Sequence, residues 1–212
     1  MLNVFEIERS DEIRYSNPDT QKWRIRPSEE GYELLLMRIR IENHVAMNTV
    51  LVADQQAAVI EGFFQDEFRP ISVHDTVFLD KRGPSDTTIT LNGGQCMDHP
   101  RVVVTERATV QWINAGDSDS FIQFDDDVTT LLGNNLLQIM PGESVSTQFD
   151  QPGTFGYQCS GDDGDIQSAQ VLVEDKSSVR VEEEKEIEFL EGSFDLHKGF
   201  SLDGWMIFDV PE

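Results

Sequence analysis

The sequence predicts an all-β protein of two β-sandwich domains, and three observations carry that expectation. Residues 33–43 (ELLLMRIRIEN) alternate with period two: Leu35, Met37, Ile39 and Ile41 fall on one side and Leu36, Arg38, Arg40 and Glu42 on the other, the pattern of a strand with one wet face. From residue 87 onward, short β-branched or aromatic runs recur at spacings of roughly 8–12 residues with Gly, Asn and Asp between them, which is the punctuation of a sandwich. The chain then closes on an apolar strand, 205–210 (WMIFDV), stopped by Pro211 in a tail too short to fold by itself.

The elements follow in order. Residues 3–7 and 22–26 read as short strands on either side of a turn at 16–19 (SNPD). Residues 49–53 and 56–60 are further strands, and 71–79 (ISVHDTVFL) alternates again. Residues 81–85 (KRGPS) form a turn cluster and a domain boundary. Strands are expected at 87–91, 101–104, 109–114, 120–124, 144–149, 155–159 and 167–173. The stretch 92–100 (NGGQCMDHP) is a loop, and Pro141-Gly142 and Pro152-Gly153 are turns. A second boundary falls at 175–178 (DKSS). Residues 182–191 carry six glutamates, in a short helix or an acidic edge strand with a solvated face. The front sheet needs a cover and the closing strand needs a sheet. Both needs are met if residues 1–82 and 175–212 form one sandwich, interrupted by a second domain at 84–174.

Composition narrows the function. With 38% hydrophobic residues in 212, the chain supports a packed core. Forty acidic residues against 16 basic ones give a net charge of −24, which repels nucleic acid and anionic membranes. A cationic protein partner, bound cations or a high-salt medium suits it instead; the 5 lysines against 11 arginines point the same way, to salt adaptation. No apolar run approaches a membrane span. The start (MLNVFEIERSDEIRYS) lacks a secretory apolar region, so the protein is either cytoplasmic or numbered without its export signal.

Two resemblances refine the domains. The pieces GYELLLMRIRIEN and GFSLDGWMIFDVP resemble the early and final strands of the immunoglobulin-like DUF4352 sandwich common in bacterial and archaeal lipoproteins. The pieces TVQWINAGDSDSFIQFDDD, MPGESVSTQFDQPGTFGYQCS and AQVLV resemble a cupredoxin, a Greek-key sandwich that carries copper. Together they imply a cupredoxin-like domain inserted in an immunoglobulin-like one.

The cupredoxin resemblance also implies where ligands should stand. A type-1 copper needs two imidazoles and a thiolate, with a weak axial group. The first histidine position falls at Ser120 or Phe121, the cysteine is Cys159, the second histidine position falls at Asp162, and the axial group lies near Gln167. Only Cys159 is a strong ligand, and no histidine lies between His99 and His197. The stretch from Gln158 (QCSGDDGDIQSAQVLVE) also resembles in outline the binuclear copper loop of oxidase subunit II, but without its second cysteine, histidine and methionine. The expectation is therefore a fold that has lost type-1 copper and holds no cofactor.

Two alternatives stay open. Cys96, His99, Cys159 and Asp162 would make a zinc or copper set for a metal carrier or redox module; otherwise the cysteines are a disulfide or two buried thiols. The carboxylates Asp117, Asp119, Asp125, Asp126, Asp127, Asp162, Asp163 and Asp165 belong to loops that cluster at one pole of a cupredoxin. There they would bind calcium for assembly, contact a basic partner, or simply form a solvated acidic pole suited to a salty medium. No catalytic constellation is present, so the protein is expected to be a non-enzymatic accessory subunit. Its expected partners are other protein subunits of an extracytoplasmic membrane complex or envelope assembly.

Overall fold

Alternating stretches form strands throughout the chain. The computed structural model describes residues 1–16, 21–27, 29–62, 65–83, 86–93, 95–96, 100–125, 136–161, 164–175 and 187–212. Of the segment 182–191, whose conformation the sequence leaves open, 182–186 lie outside them, and in 187–191 Phe189 makes an isolated bridge to Trp205. The strands are β1 (Leu2–Ser10), β2 (Ile13–Ser16), β3 (Lys22–Ile25), β4 (Tyr32–Glu42), β5 (Asn48–Ala53), β6 (Ile60–Glu61) and β7 (Glu67–Phe68). After a single helical turn, α1 (Val73–Thr76), come β8 (Val77–Asp80), β9 (Asp86–Asn92), β10 (Gln95–Cys96), β11 (Arg101–Thr105), β12 (Thr109–Asn114) and β13 (Ser120–Phe124). The last are β14 (Leu136–Ile139), β15 (Ser144–Gln148), β16 (Gly153–Gly161), β17 (Ile166–Glu174), β18 (Gly192–His197) and β19 (Ser201–Pro211).

The chain divides into two compact units, Met1–Val77 with Glu183–Glu212, and Phe78–Glu182. In the first, β4 is the central strand of an antiparallel ladder β1-β4-β19, so the closing strand does join the early one. The ladder β18-β5 is antiparallel too. Leu190 packs over β19 because position 204 is glycine: a Cβ there would lie 2.8 Å from both the Glu188 carbonyl oxygen and Leu190 Cγ.

The single wet face expected of β4 is found on only half the strand. Arg38 and Arg40 face solvent and bond Asp203 of β19 at 3.0 and 2.9 Å. Leu34 and Leu36, on the same side by alternation, are instead buried with Ile207 against Ile13 and Ile25. The long strand thus has cores on both faces at its start, and the second core is built with β3 and with β2, which is too short and mixed to stand out in the sequence. Residues 56–59 turn rather than extend: the Ala57 amide bonds the Asp54 carbonyl and the Asp54 side chain accepts from Gln56 N–H. In 71–79 the alternation is interrupted by α1, because the Ser72 side chain caps the turn by accepting from His74 N–H.

In the second unit a four-stranded sheet, β10-β9-β12-β15, faces a sheet in which β14, β13, β16, β17, β11 and β8 are neighbours in that order. β12 runs parallel to β9 and β11 parallel to β17, so the chain must cross between sheets rather than proceed by hairpins. Inward residues of both sheets form the core. Trp112 of β12 lies edge-on to Phe124 of β13 and Tyr157 of β16 at 5.7 and 5.6 Å, contacts worth about 0.5–1.5 kcal/mol each beyond area burial. The turn cluster at Lys81 belongs to this unit: the Arg82 guanidinium is buried, donates twice to Asp80 (2.9 and 2.8 Å) and reaches Glu174 at 2.8 Å.

Candidate functional site

The site with the strongest claim on function is the end of the second unit where β16 turns into β17. Antiparallel register places Ser120 of β13 opposite Gly161, and Cys159 between Ile122 and Gln167. Alternation then directs Ser120, Cys159 and Gln167 to the inner face, so the positions implied by the cupredoxin resemblance do converge on one end of the sandwich.

What they offer chemically differs from a copper site. Cys159 is fully buried and joined to Cys96 in a disulfide, with Cα atoms 6.2 Å apart. Because Cys96 belongs to β10 and Cys159 to β16, the bond ties the two sheets together. The Tyr157 hydroxyl lies 3.9 Å from the Cys96 sulfur, and burial pushes that phenol up to about 12. The Gln167 side-chain oxygen accepts from Cys96 N–H at 2.8 Å, so the axial position holds β10 against β17. Ser120 is fully buried, and its Oγ has no hydrogen-bond partner among the described residues. A hydroxyl, a cystine and an engaged amide supply neither the thiolate nor the imidazoles that type-1 copper requires, so the residues present do not fit that group.

The alternative metal set is affected in the same way. Both of its sulfurs are in the disulfide and carry no thiolate while oxidised. His99 and Asp162 lie outside the described residues. Among the described residues there is also no group of three or more His, Cys, Asp or Glu side chains placed to hold a metal ion.

The acidic residues do not all share one pole. Asp165 precedes β17 beside the Ser160 level of β16, on the side of the Asp117–Asp119 connection. Asp125 follows the far end of β13: its N–H bonds the Gly156 carbonyl at 3.1 Å. Four residues of β16 separate these levels, about 13 Å along an extended strand. β13 runs antiparallel to β16 and so carries Asp125 away from the turn. Asp126, Asp127, Asp162 and Asp163 lie outside the described residues. The Asp125 carboxylate instead rests over Gly156, where a Cβ would collide with its Oδ2.

Asn114 has a role the sequence reading did not assign. Fully buried at the end of β12, it donates to the carbonyls of Ser118 and Ile139 (both 2.8 Å) and accepts from Gly116 N–H at 3.0 Å. It thereby fixes the connection that delivers Ser120. Asn43, at the end of β4 in the first unit, makes the same kind of corner, donating to Ala46 and Leu196 carbonyls and accepting from Val45 and Ala46 N–H. A buried asparagine just past an alternating strand is the signal that would have identified both.

No family model matches the chain, and no curated protein matches it. Among solved structures it is similar to a reduced amicyanin variant, with 23% identity over 42% of this chain and 82% of that one and a TM-score of 0.35. It is also similar to a purple cupredoxin from Nitrosopumilus maritimus, with 18% identity over 42% of this chain and 99% of that one and a TM-score of 0.30. At such scores the assignment of the second unit as a β-sandwich rests on its own strand order and register.

Proposed function

We propose that this protein is a non-catalytic binding subunit whose second unit is a cupredoxin-type sandwich retained as a scaffold after loss of type-1 copper. The observation that carries this reading is the Cys96–Cys159 disulfide, a covalent link between sheets that engages the cysteine the cupredoxin resemblance implies as the copper thiolate. Neighbouring groups serve the same structural end: Gln167 binds the β10 backbone, and Tyr157 packs against Trp112. With copper gone, binding is left to surfaces. The net charge of −24 favours a cationic protein face and opposes nucleic acid and anionic lipid. Such a subunit fits the extracytoplasmic side of a membrane complex or an envelope assembly, where disulfides persist. Among the described residues no helix is long and apolar enough to cross a membrane.

Copper or zinc loading of the unreduced full chain tests the scaffold role, with desalting, metal analysis and a visible spectrum. The expected result is no stoichiometric metal and no charge-transfer band. One equivalent of metal that is lost on Cys159→Ser would overturn the reading. Purification of the tagged chain from its native membranes tests the partner role. A stoichiometric basic subunit that dissociates with rising salt is expected, and a monomer at low salt would contradict it.

A further inference from the structure

We propose that the first unit binds the hydrocarbon chain of an uncharged amphiphile between its two ladders, a role that goes beyond the scaffold reading and does not depend on it. A cavity of about 160 Å3 lies there, with Leu2, Val4, Met37 and Met206 on one side and Leu51 and Ala53 on the other. Among the described residues every side chain that lines it is apolar. Protein interiors leave few voids larger than a water molecule. Ala53, Ala57 and Ala58 are the smallest side chains on this cavity's walls. A hydrocarbon-lined cavity of about 150 Å3 stays dry and takes up a benzene-sized guest.

The cavity is also reached from outside by an apolar path. β1 is the end strand of its ladder and β5 the end strand of the other, and both line the cavity. On these two lips Leu2 is 61% exposed, Ile7 60% and Val52 48%. By register Leu2, Val4 and Ile7 share the face of Ile41, Ile39 and Met37, so the inner apolar surface continues to solvent at the β1 edge. A chain entering end-on would cover these side chains and fill the void, gaining about 25 cal/mol for each Å2 of apolar surface removed from water. No side chain on the walls could orient a heteroatom, so the polar end is left to water. The charge of −24 disfavours an anionic head there.

Calorimetric titration of the full chain with octyl glucoside below its micelle concentration tests the proposal, with octanoate in parallel and methionine-methyl NMR as a reporter. Saturable one-to-one binding with shifts at Met37 and Met206 is expected. Ala53→Leu should weaken it at least tenfold, and octanoate should bind more weakly. If Ala53→Leu does not fold, Ala58→Leu, at a partly buried position, makes the same test. Absence of saturable binding to the native chain, or binding unchanged in a folded filled variant, overturns the site. Octanoate binding as tight as the glucoside overturns the assignment of an uncharged head.

Discussion

Cys96 and Cys159 join the two sheets of the second unit, and the amide of one is held by Gln167, the residue directly across from the other. On the proposed scaffold reading, the position that the cupredoxin resemblance implies for a soft ligand is part of the sandwich's own framework.

Loss of that bond should cost stability rather than activity. The bridged residues are 63 apart in sequence, and closing a loop of this size stabilises a fold by about 2–4 kcal/mol. Urea unfolding of the paired variant Cys96→Ala/Cys159→Ala should show that loss, with the all-β circular dichroism retained in water. An unchanged midpoint would mean that the sheets do not need the link.

Arg82 should be the most sensitive charged residue of the second unit. Its guanidinium and the Asp80 carboxylate are nearly inaccessible, and Glu174 completes the cluster. Hydrogen bonding to Asp80, ahead of every other influence, holds Arg82 charged well above its ordinary range. Arg82→Met removes three charge-assisted hydrogen bonds from these two carboxylates, a loss expected to cost about 3–5 kcal/mol. Adding Asp80→Asn should recover part of the loss, and a double-mutant cycle by chemical denaturation measures it.

Asn114→Ala should cost about 2–3 kcal/mol, because one buried and one partly buried carbonyl and a partly buried N–H lose this partner. Asn43→Ala should do the same in the first unit. Amide exchange would separate the two, with Asn114→Ala raising exchange near Gly116 and Asn43→Ala near Val45 and Ala46.

Alkaline pH should weaken the fold before it ionises the buried phenols. Burial raises Tyr157 to about 12, and burial, then the charge of Glu191, raises Tyr15 to about 12. The folded state therefore binds these protons more tightly than the unfolded chain, whose phenols titrate near 10.0. The resulting stabilisation is complete below pH 10 and is lost as pH rises towards 12. Denaturation midpoints should fall over that window, and absorbance titration of the folded chain should show both phenols ionising late.

The sequence made most of the strand set legible, because strands with one face on a core announce themselves by alternation: 109–114 and 120–124 match β12 and β13 residue for residue. It hid what depends on partners distant in the chain. β2 and β18 are short and mixed, and become strands only through β3 and β5. The two-sided burial of Leu34 and Leu36 needs Ile13 and Ile25, which no local period reveals. At the candidate site, the missing histidines could be read directly. The pairing of Cys96 with Cys159, and the separation of Asp125 from Asp165, depend on register between strands and could not.

The measurement that tests the central claim most directly is a thiol count on the native, unreduced chain unfolded in denaturant, combined with its intact mass. No reactive thiol, and a mass lighter by a pair of hydrogens than after reduction, is the expected result. Two free thiols in the freshly isolated protein, with copper bound in proportion, would contradict it.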